Sequence, residues 1–140
     1  MIPVINESGK WGYENSYGKL VTPYQYDRTY DFAEGLGVVV QDDKMGIIDI
    51  FGKEILVPKY TVIFDYRNGF AAVELNDKWG FIDKNGKEII PIQYEAAMSF
   101  SENFVAVNKM ESGAISFLPV KFKFLFNLIV LMIFLKFWQV

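Results

Sequence analysis

The stretch that decides the fold is Lys78-Trp79-Gly80-Phe81-Ile82-Asp83-Lys84-Asn85-Gly86-Lys87-Glu88-Ile89-Ile90-Pro91. Its opening alternates, with Trp79 and Phe81 on one face and Gly80 and Ile82 on the other, the period of two that a pleated strand imposes. Asn85-Gly86 supplies a tight hairpin, because both residue types reach positive φ at little cost. Residues 87–90 predict a return strand that Pro91 closes, since proline cannot donate to a ladder. A non-strand elbow anchored by Tyr94 and Phe100 is expected next, and residues 104–107 read as a third strand.

Working outward, the same words recur. Lys10-Trp11-Gly12, Lys44-Met45-Gly46 and Lys78-Trp79-Gly80 stand 34 residues apart. The residue after the glycine is Tyr13, Ile47 or Phe81, and a second glycine-lysine pair follows at Gly18-Lys19, Gly52-Lys53 and Gly86-Lys87. Tyr26, Tyr60 and Tyr94 hold register, as do the aromatics Phe32, Tyr66 and Phe100. Pro23 and Pro91 lie three residues before the tyrosine but Pro58 only two, a local slip in the second copy. Self-similarity at a fixed period identifies an array, and three short strands per period are too few to bury their own face, so stacking on neighbours must stabilise them.

The expected fold is therefore all-β: tandem 34-residue β-meander or hairpin repeats stacked as a solenoid or partial propeller, followed by an aberrant hydrophobic tail. The divisions are 1–9, a remnant of a preceding repeat from which the chain would begin inside a longer array; 10–43, 44–77 and 78–109, three repeats; and 110–140, the tail.

The landmarks resemble the WG-repeat family, whose units carry a Lys-Trp-Gly-Phe-Ile-Asp-like start, an Asn-Gly-Lys turn, an Ile-Pro-x-x-Tyr stretch and a Phe-Ser-Glu-Gly-like segment before small apolar residues. Residues 78–108 match nearly throughout. Residues 10–43 and 44–77 match with departures: Met45 replaces the tryptophan, and Glu14 and Asn15 replace the usual Ile-Asp. The resemblance implies β-rich repeat architecture and brings no catalytic residues.

Composition narrows function without assigning it. Fourteen basic against 17 acidic residues give a net charge of −3, which provides no basic footprint for nucleic acid. Cysteine is absent, which excludes disulfides and thiolate metal sites; histidine is absent too, which removes the commonest general base and metal ligand. No nucleophile–base pair, metal cluster or cofactor motif emerges, and Gly35-Leu36-Gly37 opens no helix that a phosphate loop would need. The chain reads as no enzyme, with no cofactor. Asp42-Asp43 reads as a solvated turn, and Asp49 and Asp83 as turn caps in preference to cation ligands.

The expected role is a binding or scaffolding surface for protein partners. The alternatives are a glycan- or cell-envelope-binding module and a truncated, non-functional relic of a longer array. Trp11, Trp79, Tyr26 and Tyr94 are the residues that a ligand-stacking platform would use, but their repeat-periodic spacing better suits the core between repeats.

The tail departs from the pattern. A fourth Lys-Trp-Gly is due at position 112, where the chain reads Ser112-Gly113-Ala114. Back-translated with permitted codons, residues 108–116 gain a repeat start in register, Asn-Gly-Lys-Trp-Gly-Tyr-Ile after Lys109, when one adenine is restored, so the tail reads as out-of-frame translation after about residue 109. The rival is a membrane anchor, but residues 124–135 supply 12 apolar-rich positions where a span needs about 20. If the tail is native, membrane contact is expected only through residues 122–140, and the compartment is not encoded in a recognisable signal. Sequencing independent template across the codons for residues 108–111 is expected to reveal one more adenine; an unchanged reading makes the chain a damaged or truncated array, with any membrane behaviour of its tail an accident of frame.

Overall fold

The computed structural model describes residues 1–101, 104–108 and 115–119. They form four antiparallel sheets, and the described residues contain no helix. The first sheet joins β1 (Ile2–Ile5), β2 (Trp11–Glu14) and β3 (Leu20–Tyr26). The second joins β4 (Arg28–Thr29), β5 (Leu36–Gln41), β6 (Lys44–Asp49) and β7 (Glu54–Tyr60). The third repeats it 34 residues on, as β8 (Val62–Ile63), β9 (Phe70–Leu75), β10 (Lys78–Asp83) and β11 (Glu88–Tyr94). The fourth contains β12 (Ala96–Ser101), β13 (Phe104–Asn108) and β14 (Ile115–Pro119). Strand order follows chain order in every sheet, so the chain is an all-β tandem array of meanders.

The sheets are offset from the sequence periods. Lys-Met-Gly at 44–46 opens the third strand of the second sheet, whose first two strands come from the preceding period. The hairpin joining them turns on Asp42-Asp43, with φ of 51° and 59°, and Asn76-Asp77 does the same in the third sheet at 52° and 61°. Two successive positive φ values give the turn whose twist matches the flanking strands. In the fourth sheet Asn108 pairs with Ile115, whereas Gln41 pairs with Lys44 and Leu75 with Lys78. The connection there lengthens from two residues to six. The rest of the expected tail lies outside the described residues, and among the described residues no helix is long and apolar enough to cross a membrane.

Three local expectations are corrected. Asn85-Gly86 is not a two-residue hairpin: only Gly86 has positive φ, 75°, and its N–H donates to the Asp83 carbonyl at 3.0 Å while the Asp83 N–H donates to the Lys87 carbonyl at 2.9 Å. This is a three-residue loop with glycine at the left-handed position. The two-residue form belongs to Asn68-Gly69, with φ of 54° and 85° between Arg67 and Phe70. Second, Pro91 does not close its strand, because β11 continues to Tyr94. Trp79 pairs with Tyr94 and Phe81 with Ile90, so four steps on β11 face two on β10, and the proline falls in the bulge, where no ladder donor is required. The same bulge spans residues 22–26 and 56–60, which accommodates Pro58 despite its slip. Third, the elbow after the tyrosine is itself paired: Asp27, Thr61 and Glu95 each donate a backbone N–H across to Val40, Glu74 and Asn108 of the following sheet, and a strand begins at once, two residues long in β4 and β8 and six in β12. Strands of two residues, β4 and β8, are too short to show alternation.

The bulge explains the invariant glycine of the Lys-Trp-Gly words. A methyl group at Gly80 would sit 2.5 Å from the Ile90 carbonyl oxygen, and at Gly46 2.6 Å from that of Leu56. Backbone blocks both positions, so a side chain there would force the paired strands apart.

Burial happens between sheets. Tyr13 and Tyr26 of the first sheet meet Val39 and Ile48 of the second. Leu36, Val38, Ile47 and Tyr60 of the second meet Ile63, Tyr66, Ala71, Val73 and Ile82 of the third and its lead-in. Phe70, Ala72, Phe81 and Ile90 of the third meet Val107 of the fourth. Alternation on β5 and β6 therefore sends Val38 and Ile47 forward and Val39 and Ile48 back, and all four are buried. Each such aliphatic side chain contributes about 1.5–3 kcal/mol by leaving water.

The hairpin loops are capped as their sequence suggests. The Asp49 carboxylate accepts the N–H groups of Phe51 and Lys53 at 2.8 and 2.9 Å, and Asp83 accepts those of Asn85 and Lys87, both at 2.9 Å. Asn15 performs the same service for Tyr17 and Lys19 at 2.9 and 3.0 Å, so this departure from the repeat preserves the geometry without the charge. Replacing Asp83 by Ala is expected to destabilise the chain by about 1–2 kcal/mol in urea unfolding, and Asp83→Asn by much less. Equal losses would show that the loop needs the charge and not the acceptor.

Candidate functional site

The inter-sheet layers differ in how well they close. Between the second and third sheets lies a cavity of about 320 Å³ lined by Tyr30, Val38, Met45, Val62, Ile63, Phe64 and Asp65. Six of the seven are apolar or aromatic, and the Asp65 carboxylate is the charged group among them. Tyr30 and Phe64 are 36% and 52% exposed, so the aromatic walls reach solvent.

Each lining residue is placed by the repeat. Tyr30 and Phe64 both follow a short first strand, and their backbone N–H groups donate to the Val38 and Ala72 carbonyls at 3.0 and 2.9 Å. The Tyr13 hydroxyl donates to the Tyr30 carbonyl at 2.6 Å, which ties the Tyr30 backbone to the preceding sheet. Met45 is partly buried, and its Sδ accepts the Ile63 N–H at 3.2 Å across the sheets. One period later the counterpart of Met45 is Trp79, whose ring lies on Phe64 with centroids 5.2 Å apart and planes 16° from parallel.

Polar contacts clamp the sheets around this layer. Glu34 accepts the Gly69 N–H at 2.8 Å, and Lys84 donates to the Glu34 carbonyl at 3.0 Å, joining the turns that lead into β5 and β9 to the loop after β10. Between the first two sheets Lys10 pairs with Asp27, which also accepts the Asp42 N–H at 2.8 Å. The hydrogen bond to Asp27 raises the Lys10 pKa, and the same bond, with the Asp42 N–H, lowers that of Asp27. Both groups are solvent-exposed, so the pair orients a turn and adds little stability.

The four stacking candidates are brought together as two separate pairs. Trp11 is the cross-strand partner of Tyr26, and Trp79 of Tyr94. Tyr26 is only 2% exposed and presents no ring face to solvent. Trp11 packs partly buried against the layer of Tyr13 and Ile48, and Trp79 and Tyr94 against that of Phe70 and Phe81. Asp49 and Asp83 are occupied as loop caps, and no group of three or more acidic residues suited to a metal ion occurs among the described residues. The sequence reading missed the cavity; its signal was the methionine in the tryptophan slot, noted there only as a departure.

Sheets that each draw on two sequence periods and bury their faces against one another define a tandem β-repeat protein. The family is set by sequence: residues 11–44, 45–79 and 79–109 each match the WG containing repeat, and the chain belongs to that family. Searches of curated proteins and of solved structures gave no match.

Burial pushes the Tyr13 phenol up to about 12 and raises that of Tyr66 as well. An unfolded tyrosine ionises near pH 10, so the native state holds these protons more tightly than the unfolded state does. Their stabilising contribution is complete below pH 10 and is lost as the pH climbs through 10 towards 12. Tyrosinate absorbance is expected to show a late fraction that appears together with alkaline unfolding, and Tyr13→Phe should flatten the fall of stability above pH 10. An unaltered slope in that variant would mean that the Tyr13 proton is not linked to folding.

Proposed function

We propose that this chain is a non-catalytic binding or scaffolding protein whose partners are other proteins. The observation that carries the reading is the repeated display of exposed aromatics on hairpin tips. Tyr17 is 93% exposed and Phe51 80% exposed, and they hold the same position, just before the turn glycine, in consecutive repeats. Ile50 beside Phe51 is half exposed, which widens the apolar surface at that tip. Large aromatics on fixed loops lose little conformational entropy when covered, and they are enriched among residues that dominate protein interfaces. The rigid caps by Asn15 and Asp49 hold both tips in place before any partner arrives.

Support for protein over glycan comes from the stacking candidates. With Tyr26 buried and Trp79 covered by Phe64, the periodic aromatics serve the layers and leave little free face for sugar rings. The net charge of −3 supports neither nucleic acid nor an anionic surface as a ligand.

A photo-crosslinking residue placed at position 17 or 51 is expected to yield the same discrete protein adduct from cells, and one placed at the control position Val57 is not. Adducts that vanish on protease treatment identify the partner class. Absence of adducts at both tips, or polysaccharide binding that depends on Tyr17 and Phe51, would overturn this reading.

A further inference from the structure

The cavity at Met45 has a chemical meaning that the hairpin tips do not share. Its walls and those around Trp79 are the same positions one period apart: Tyr30 corresponds to Phe64, Val38 to Ala72, and Met45 to Trp79. In the later copy the slot is filled from within, since the Trp79 ring lies nearly parallel on Phe64 at 5.2 Å. In the earlier copy the slender methionine leaves about 320 Å³ beside Tyr30, at the low end of the ~300–1,000 Å³ typical of small-molecule sites. The backbone that makes the slot is unchanged, because β6 and β7 keep the register of β10 and β11.

We propose that the slot at Met45 is a binding site for a flat aromatic ring of the indole class, seated beside Tyr30 where the repeat otherwise places its own tryptophan. Shape argues for a planar guest, since in the neighbouring copy the corresponding position holds an indole lying nearly parallel on Phe64. Chemistry agrees. Tyr30, Phe64, Val38, Val62 and Ile63 give the slot aromatic and apolar walls, and the Met45 sulfur is polarisable and favourable against ring edges. Asp65, exposed and also in the lining, carries an acceptor suited to a ring N–H.

The test uses the full chain carrying 13C-methyl methionine, titrated with free indole. The Met45 methyl is expected to show a saturable upfield ring-current shift, with a dissociation constant of roughly 0.1–5 mM for so small a ligand. Met45→Trp restores the repeat's own residue and should weaken binding at least about ten-fold. Trp79→Met opens the corresponding slot on Phe64 and should add a second indole site, reported by the new methyl. That second arm decides the matter even if the first variant misfolds. N-acetyl-tryptophanamide distinguishes the sources of the ring: binding of both compounds fits a side chain of another protein, and binding of indole alone fits a free heterocycle. No saturable shift at Met45, binding undiminished in Met45→Trp, no second site in Trp79→Met, or equal affinity for cyclohexanol would each overturn the proposal.

Discussion

The structure depends on one constraint: an inner sheet of this array must be apolar on both faces. A four-stranded meander cannot bury itself, so the second and third sheets are held by a layer in front and a layer behind. This is why residues 36–40 and 70–73 read as continuous apolar runs where one-sided strands would alternate with polar residues. Alternation persists, but it sorts residues between two cores. Close stacking also crowds the two loop glycines that meet the neighbouring sheet. The Cβ missing at Gly52 would lie 2.8 Å from the Thr22 side chain, and that at Gly86 would sit 3.3 Å from Leu56.

Much of the fold was legible because spacing is a direct record of repetition. The 34-residue step gave the array, and the alternation around Trp79 and Phe81 gave the strands and their faces. What stayed illegible was the pairing. Asn-Gly occurs at 68–69 and at 85–86 with different geometries, since the dipeptide permits positive φ at both residues and the loop length imposed by the flanking register decides whether both adopt it. Pro91 read as a strand end because a lone strand cannot show the bulge that its partner imposes. The paired segments at β4 and β8 carry too few residues for any period to register.

The candidate site was less visible still, because it is made by something smaller than the pattern requires. Pattern reading rewards matches, and Met45 registered only as a mismatch among landmarks. Its meaning appears once Trp79 is seen resting on Phe64 and the preceding period is seen without an equivalent ring. The aromatics singled out from sequence did a different job: Tyr26 closes a layer, and Trp79 fills a slot. Tyr17 and Phe51 escaped notice because loop tips carry no periodic apolar neighbours to draw attention to them.

The offset between sheet and period has a genetic corollary. The second and third sheets each borrow their first two strands from one copy and their last two from the next, and their central register is identical. Recombination that gains or loses one whole period therefore joins strands already fitted to one another, wherever in the 34 residues the crossover falls. The gene can lengthen or shorten its array without searching for a boundary. A change of any other size inside a paired strand meets the opposite fate, since it misaligns a strand that has neighbours to satisfy on both sides, whereas the connection before β14 absorbs its extra residues.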